Sequence, residues 1–187
     1  MARLLRLLLG GAAVACLGLG CSGKDPYNPG TPLGTFRVSA KLVETTCGPV
    51  PDPWQFDVRL SHDETSIYWV QGGAPVAGRV DAQKRVVLRA TDEHMLRPAD
   101  ARGRTPACVV AREDVLDVLL ATSAAAPVVD VTETASLIGA LSYSFTPSSG
   151  SDCTDQLEAT GGGFTALPCL VRYEIAAQRV AEPDASR

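Results

Sequence analysis

The chain has 187 residues, 17 of them basic and 21 acidic, for a formal net charge of −4. That length fits one domain with a real core, and the lack of any basic run excludes an electrostatic nucleic-acid interface. Alanine, glycine, proline and arginine are abundant while isoleucine and asparagine are scarce, the skew of a GC-rich coding sequence, so the alanines carry no weight as evidence for helix.

Arg3 and Arg6 open a run that is otherwise apolar or small as far as Leu19. It is short for a bilayer span and is flanked as a secretion signal is. It ends in Leu17-Gly18-Leu19-Gly20-Cys21, with Gly18 at the position three before the cysteine. This ending resembles the lipobox of bacterial lipoproteins, in which a peptidase cuts before a cysteine whose sulfur carries a diacylglycerol. The resemblance implies a signal peptide over 1–20, export, lipidation of Cys21 and attachment to a membrane through the acyl chains. Each buried acyl methylene contributes ~0.8 kcal/mol, so two or three chains hold a protein firmly. Ser22 follows the cysteine; by the same resemblance, the lack of an aspartate there implies sorting to the outer membrane of the bacterial envelope. An ordinary cleaved secretory signal, or a cut before Cys16 at Ala13-Val14-Ala15-Cys16, remains open.

Cysteine arithmetic favours Cys21. Of six cysteines, a cut there discards Cys16 and leaves Cys47, Cys108, Cys153 and Cys169 as an even set for two disulfides in an oxidising compartment. Loss of Arg3 and Arg6 with the signal takes the net charge from −4 to −6. Residues 21–33 contain three prolines and two glycines and read as the lipidated cysteine and a flexible spacer. A single β domain is expected over 34–178, and a frayed tail over 179–187.

Within that domain the dominant period is two, as in strands with one face in a core. Phe36, Val38, Ala40 and Leu42 alternate with polar residues, as do Trp54, Phe56, Val58 and Leu60. The pattern repeats at Val86, Leu88 and Ala90, at Leu137 to Phe145, and at Val171, Tyr173 and Ile175. Shorter strands fit 65–71 and 76–80. Over 108–121 the chain reads as a long strand or as a helix with Val115, Leu116, Leu119 and Leu120 on one face. The strands are therefore expected near 35–45, 54–61, 65–71, 76–80, 85–91, 108–121, 132–146 and 170–178.

Short connections predict an all-β, antiparallel up-and-down meander, either a small barrel or a sandwich. It is similar to a lipocalin in strand count alone. With the first strand running up, the first and eighth strands can pair and close a barrel. The connections at 46–53, 72–75, 92–107 and 147–169 then fall at the top, and all four remaining cysteines with them. Three pairings are possible. Cys153–Cys169, closing the glycine-rich loop, and Cys47–Cys108 are the expected pair. The spacer enters at the bottom, so the stapled loops face away from the lipid.

Chemistry-bearing residues are few. His62-Asp63-Glu64 and Asp92-Glu93-His94 have the side chains of a divalent-metal site, but the meander puts them at opposite ends. Asp152, Asp155 and Glu158 near Gly161-Gly162-Gly163 lack the spacing of a calcium loop, and no Walker pattern accompanies the glycines. No Gly-x-Ser-x-Gly is present, and a hydrolase would need His62 or His94 as its base. Trp54, Tyr68, Trp69, Tyr143 and Phe145 either line an apolar cavity or pack a filled core. No catalytic residue, metal or cofactor is assigned. The expected function is a membrane-anchored, non-enzymatic module that binds a protein or a small apolar ligand at its distal loops. A hydrolase or metal-dependent enzyme, and a purely structural envelope protein, are the alternatives.

Overall fold

The computed structural model describes residues 27–71, 73–100, 102 and 104–180. The apolar N-terminal run, Cys16, Cys21 and the end of the tail lie outside them. The strands are β1 (Thr31–Thr45), β2 (Trp54–Asp63), β3 (Ser66–Val70), β4 (Val76–Arg79), β5 (Arg85–Arg97), β6 (Cys108–Ala121), β7 (Ser136–Pro147) and β8 (Cys169–Arg179). They form one antiparallel sheet in the order β4-β3-β2-β1-β8-β7-β6-β5. The sheet curls into a nearly closed barrel.

The first and last strands pair over most of their length, from Phe36 opposite Arg179 to Thr45 opposite Val171. The seam lies elsewhere, between β4 and β5, where the described residues make one isolated bridge, from Val80 just past β4 to Val86. Pro75 has no N–H with which to carry the β4 ladder upward, so β4 is only four residues long beside a β5 of thirteen. Below, Asp81 ties the β4–β5 turn: its Oδ1 accepts the N–H groups of Gln83 at 2.9 Å and Arg85 at 2.8 Å.

Alternation sends Phe36, Val38, Val58, Leu60, Val86, Leu88, Val118, Leu120, Leu137 and Ile175 into the barrel, where each is buried. Full burial of a side chain of this size stabilises by about 1.5–3 kcal/mol. Gly139 replaces a side chain where β7 and β6 approach: a Cβ there would lie 2.0 Å from the carbonyl oxygen of Asp117. The outer face carries cross-strand ion pairs, Arg37 with Asp57 at 3.0 Å, Arg85 with Asp117 at 2.6 Å and Arg89 with Glu113 at 3.1 Å. All are well exposed, and such pairs contribute little individually.

Several expectations change. Residues 108–121 form a strand: β6 pairs with β5 on one side and β7 on the other, which splits the supposed helical face into inward Leu116 and Leu120 and outward Val115 and Leu119. β5 runs on to Arg97, well past 91, because β6 supplies a ladder the whole way. β7 starts at Ser136; Asp130 caps a 3-10 turn over Val131–Glu133 by accepting from Thr132 N–H at 2.8 Å. β1 takes up Thr31 to Leu33 from the expected spacer, and β8 adds Arg179.

The disulfides join Cys47 to Cys169 and Cys108 to Cys153, not the expected partners. Sheet neighbours decide this. β1 ends beside the start of β8, so Cys47 meets Cys169. Likewise β6 begins beside the end of β7, where Val110 stands opposite Pro147, so Cys108 meets the loop carrying Cys153.

Candidate functional site

The barrel interior changes character along its axis. The lower end is closed by the 122–135 connection, whose Val128 is buried and whose N–H donates to Leu120 O at 3.2 Å. Thr134 and Ser136 are buried there with their hydroxyls donating to Val131 O and Thr122 O. Above the aliphatic layers the inward side chains become aromatic. Trp54 has its ring centroid 4.4 Å from Phe56, 5.8 Å from Tyr173 and 6.0 Å from Tyr143, and Phe56 lies 6.2 Å from Trp69. Trp69 Nε1 donates to Gln71 Oε1 at 3.3 Å, and the Tyr173 hydroxyl donates to Pro51 O at 3.1 Å. Tyr68 alternates with Ile67 and Trp69 and stands opposite Ser61, on the other face of the sheet from this cluster.

Arg112 and Asp114 interrupt the inward face of β6, between Cys108 and Val110 above and Leu116, Val118 and Leu120 below. Arg112 Nε donates to Asp114 Oδ1 at 2.6 Å and Nη2 to Oδ2 at 2.8 Å, a two-pronged pair with side chains 36% and 33% exposed. The guanidinium carbon lies 4.6 Å from the Tyr143 ring centroid and 5.9 Å from that of Phe145. A charge turned inward is costly unless paired, and here the carboxylate and the ring faces both offset the cost. Burial pushes the Tyr143 hydroxyl well above the usual tyrosine range, and the charge of Asp114 adds to the shift while Arg112 opposes it.

Tyr143 borders two openings. One, of about 170 Å³, is lined by Trp69, Val76, Leu88, Leu141 and, as its one charged residue among those described, Asp114. The other, of about 410 Å³, is lined by Val50, Trp54, Phe145, Phe164 and Tyr173, with Arg112 its one charged residue among those described. No protein-family model, curated protein or solved structure matches this chain. The chemistry of the mouth itself therefore carries the functional reading.

The 148–168 connection folds across the top and supplies part of the larger opening. Arg97 anchors it: Nε pairs with Asp155 Oδ2 at 2.8 Å, Nη2 donates to Asp152 O at 2.7 Å and Nη1 to Pro106 O at 2.9 Å. Asp152 Oδ1 accepts from Thr154 N and Oγ1 at 3.1 and 2.7 Å, and the side-chain bond, ahead of the backbone one, holds its carboxyl below the usual range. These two carboxylates are thus committed to the loop. The glycines serve the same fold: a Cβ on Gly162 would lie 2.0 Å from the carbonyl carbon of Gln156. This close return lets Phe164 N–H reach Gln156 O at 3.0 Å and sets the Phe164 ring 5.8 Å from Phe145.

The two histidine clusters are at opposite ends. His62 and Asp63 close β2 at the lower end beside the turn at Glu64, while Asp92 and His94 lie on upper β5 opposite Arg112 and Val110. His94 Nε2 is 3.7 Å from Asp92 Oδ2. Among the described residues, no three His, Cys, Asp or Glu side chains group closely enough to hold a metal ion. The Arg112–Asp114 pair is the part of the site that sequence reasoning missed. Its signal is two adjacent inward positions of opposite charge inside an apolar period-two set, visible only once 108–121 is read as a strand.

Proposed function

We propose that this protein is an exported, lipid-anchored binding module that takes a small, largely apolar ligand into the upper mouth of its barrel. The observation that carries the reading is the division of the interior into filled aliphatic layers below and an open aromatic layer above. Ligand sites are mostly apolar concavities with a few placed polar groups, and eight-stranded barrels hold either side chains or one small ligand. The geometry of attachment agrees with a tether at the far end. Thr31 stands opposite His62 at the lower end, so a chain lipidated at Cys21 would display the mouth away from an outer-membrane surface.

The test is native mass spectrometry of the full chain, expressed in a two-membraned bacterium and purified gently from its membranes. The expected result is a mature mass beginning at a lipidated Cys21, with a further small mass that leaves on denaturation. An unlipidated product would overturn the anchor. A clean protein mass, with no ligand regained from an envelope extract, would overturn the binding reading and favour a structural envelope role.

A further inference from the structure

Within that reading of the mouth, we infer that the ligand is a carboxylate: a flat or chain-like apolar body lodged against Trp54, Phe145, Phe164 and Tyr173, with its carboxylate on Arg112. Among the described residues, twelve line the larger opening, and Arg112 is the one of them that carries a charge. The others are apolar, proline, glycine, disulfide sulfur or aromatic, and of the two tyrosine hydroxyls that of Tyr173 already donates to Pro51 O, so the guanidinium is the group there that selects a charged head group.

The state of the pair sets the sign. Both oxygens of Asp114 already accept from Arg112, at 2.6 and 2.8 Å, so its charge is answered within the protein. A guanidinium has five N–H donors, and Asp114 takes two. Even if the neighbouring Tyr143 hydroxyl takes a third, two remain. The Asp114 fork and the Tyr143 face, 4.6 Å from the guanidinium carbon, fix the plane in which those donors lie. A carboxylate on a positioning arginine is the arrangement that leaves a planar, oriented donor pair for a second carboxylate. Asp92 stands across from Arg112 in the β5–β6 register, but its side chain is 77% exposed and within reach of His94, so solvent screens it. The apolar walls supply the remaining affinity by burial, as in other small-ligand sites.

The experiment is calorimetric titration of the full-length protein in detergent with three molecules of one shape: 2-naphthoate, 2-naphthamide and 2-naphthylmethylammonium. Naphthoate is expected to bind about ten- to hundredfold more tightly than the neutral amide, the range for a charge-assisted bond. Arg112→Gln should remove that preference while leaving the amide's affinity nearly unchanged, and Arg112→Lys should restore part of it. The comparison on the unaltered protein decides the matter even if Arg112→Gln folds poorly, which near-ultraviolet circular dichroism would reveal. Equal binding of all three would overturn the carboxylate assignment and leave the mouth as a binding site. A preference for the ammonium would overturn it in favour of a cation at Asp114. Binding of none overturns it as well, while the co-purified mass judges the broader reading separately.

Discussion

Gly162 and Gly163 are adjacent in sequence and opposite in consequence. A Cβ on Gly162 would overlap the Gln156 backbone, whereas one on Gly163 would have nothing within 4 Å. Overpacking of this kind costs about 1–3 kcal/mol, and substitutions in open space usually stay within about 0.5 kcal/mol. Gly162→Ala should therefore destabilise in urea and move Phe164 off Phe145, while Gly163→Ala should match the unaltered protein; equal effects would refute the close-approach account. The sequence flags all three glycines alike, because close approach is a property of the folded loop. Arg112 is similar. As one residue in CVVAREDVLDVLLA, a stretch that fits a long strand or a helix, it has no assigned face, and only the parity of β6 turns it inward.

At the scale of elements, the strands were legible wherever one face is buried and the other wet. Phe36 to Leu42 and Val171 to Ala177 alternate cleanly because β1 and β8 each have a neighbour on both sides and a core beneath. The upper part of β5 was not legible. Residues 91–96 are all exposed above the short β4, so no apolar period marks them, and β6 alone makes them a strand. Disulfide pairing was likewise hidden, since it follows from which strands are neighbours. The observed pairing has a measurable consequence. Cys47–Cys169 spans 122 residues and Cys108–Cys153 spans 45. On the chain-entropy account each contributes about 4–5 kcal/mol, the longer closure about 1 kcal/mol more. Replacing Cys47 and Cys169 by serine should lower the guanidinium midpoint further than replacing Cys108 and Cys153; the reverse order would show that native-state contacts around the bridges outweigh loop closure.

For the whole molecule, the titrating groups bound the range of stability. Asp57, Asp130 and Asp152 have carboxyls held below 3.8, by the side-chain bond from Arg37, by the Thr132 backbone N–H and by the Thr154 hydroxyl respectively. A carboxyl that is lowered on folding supports the fold above its unfolded value and loses that support as pH falls through the folded one. Asp57 and Asp130 are exposed and Asp152 is half-buried at the surface, so their acid effect should be shallow and confined to pH below about 4. Tyr143 and Tyr173 shift the other way, both first through burial. A tyrosine raised on folding leaves stability intact below 10.0 and withdraws it as pH climbs from there toward the folded value. Urea midpoints should be level from about pH 5 to 9 and fall above pH 10, and Tyr143→Phe should flatten much of that alkaline fall. An unchanged fall in that variant would assign it to other groups.

The sequence by itself determined the all-β class, the antiparallel meander, the β1–β8 closure and the gathering of four cysteines at one end. Period-two burial and short turns act locally, so a reader of the chain can see them. Tertiary structure alone decided where the barrel's seam lies, which cysteines pair, and how the interior divides into a filled floor and an open aromatic mouth. Those depend on which strands become neighbours and on how far each rises beside the next. Closure therefore brings Arg112 and Asp114 of β6 among aromatics from β2, β3, β7 and β8, a meeting that no spacing within the chain encodes.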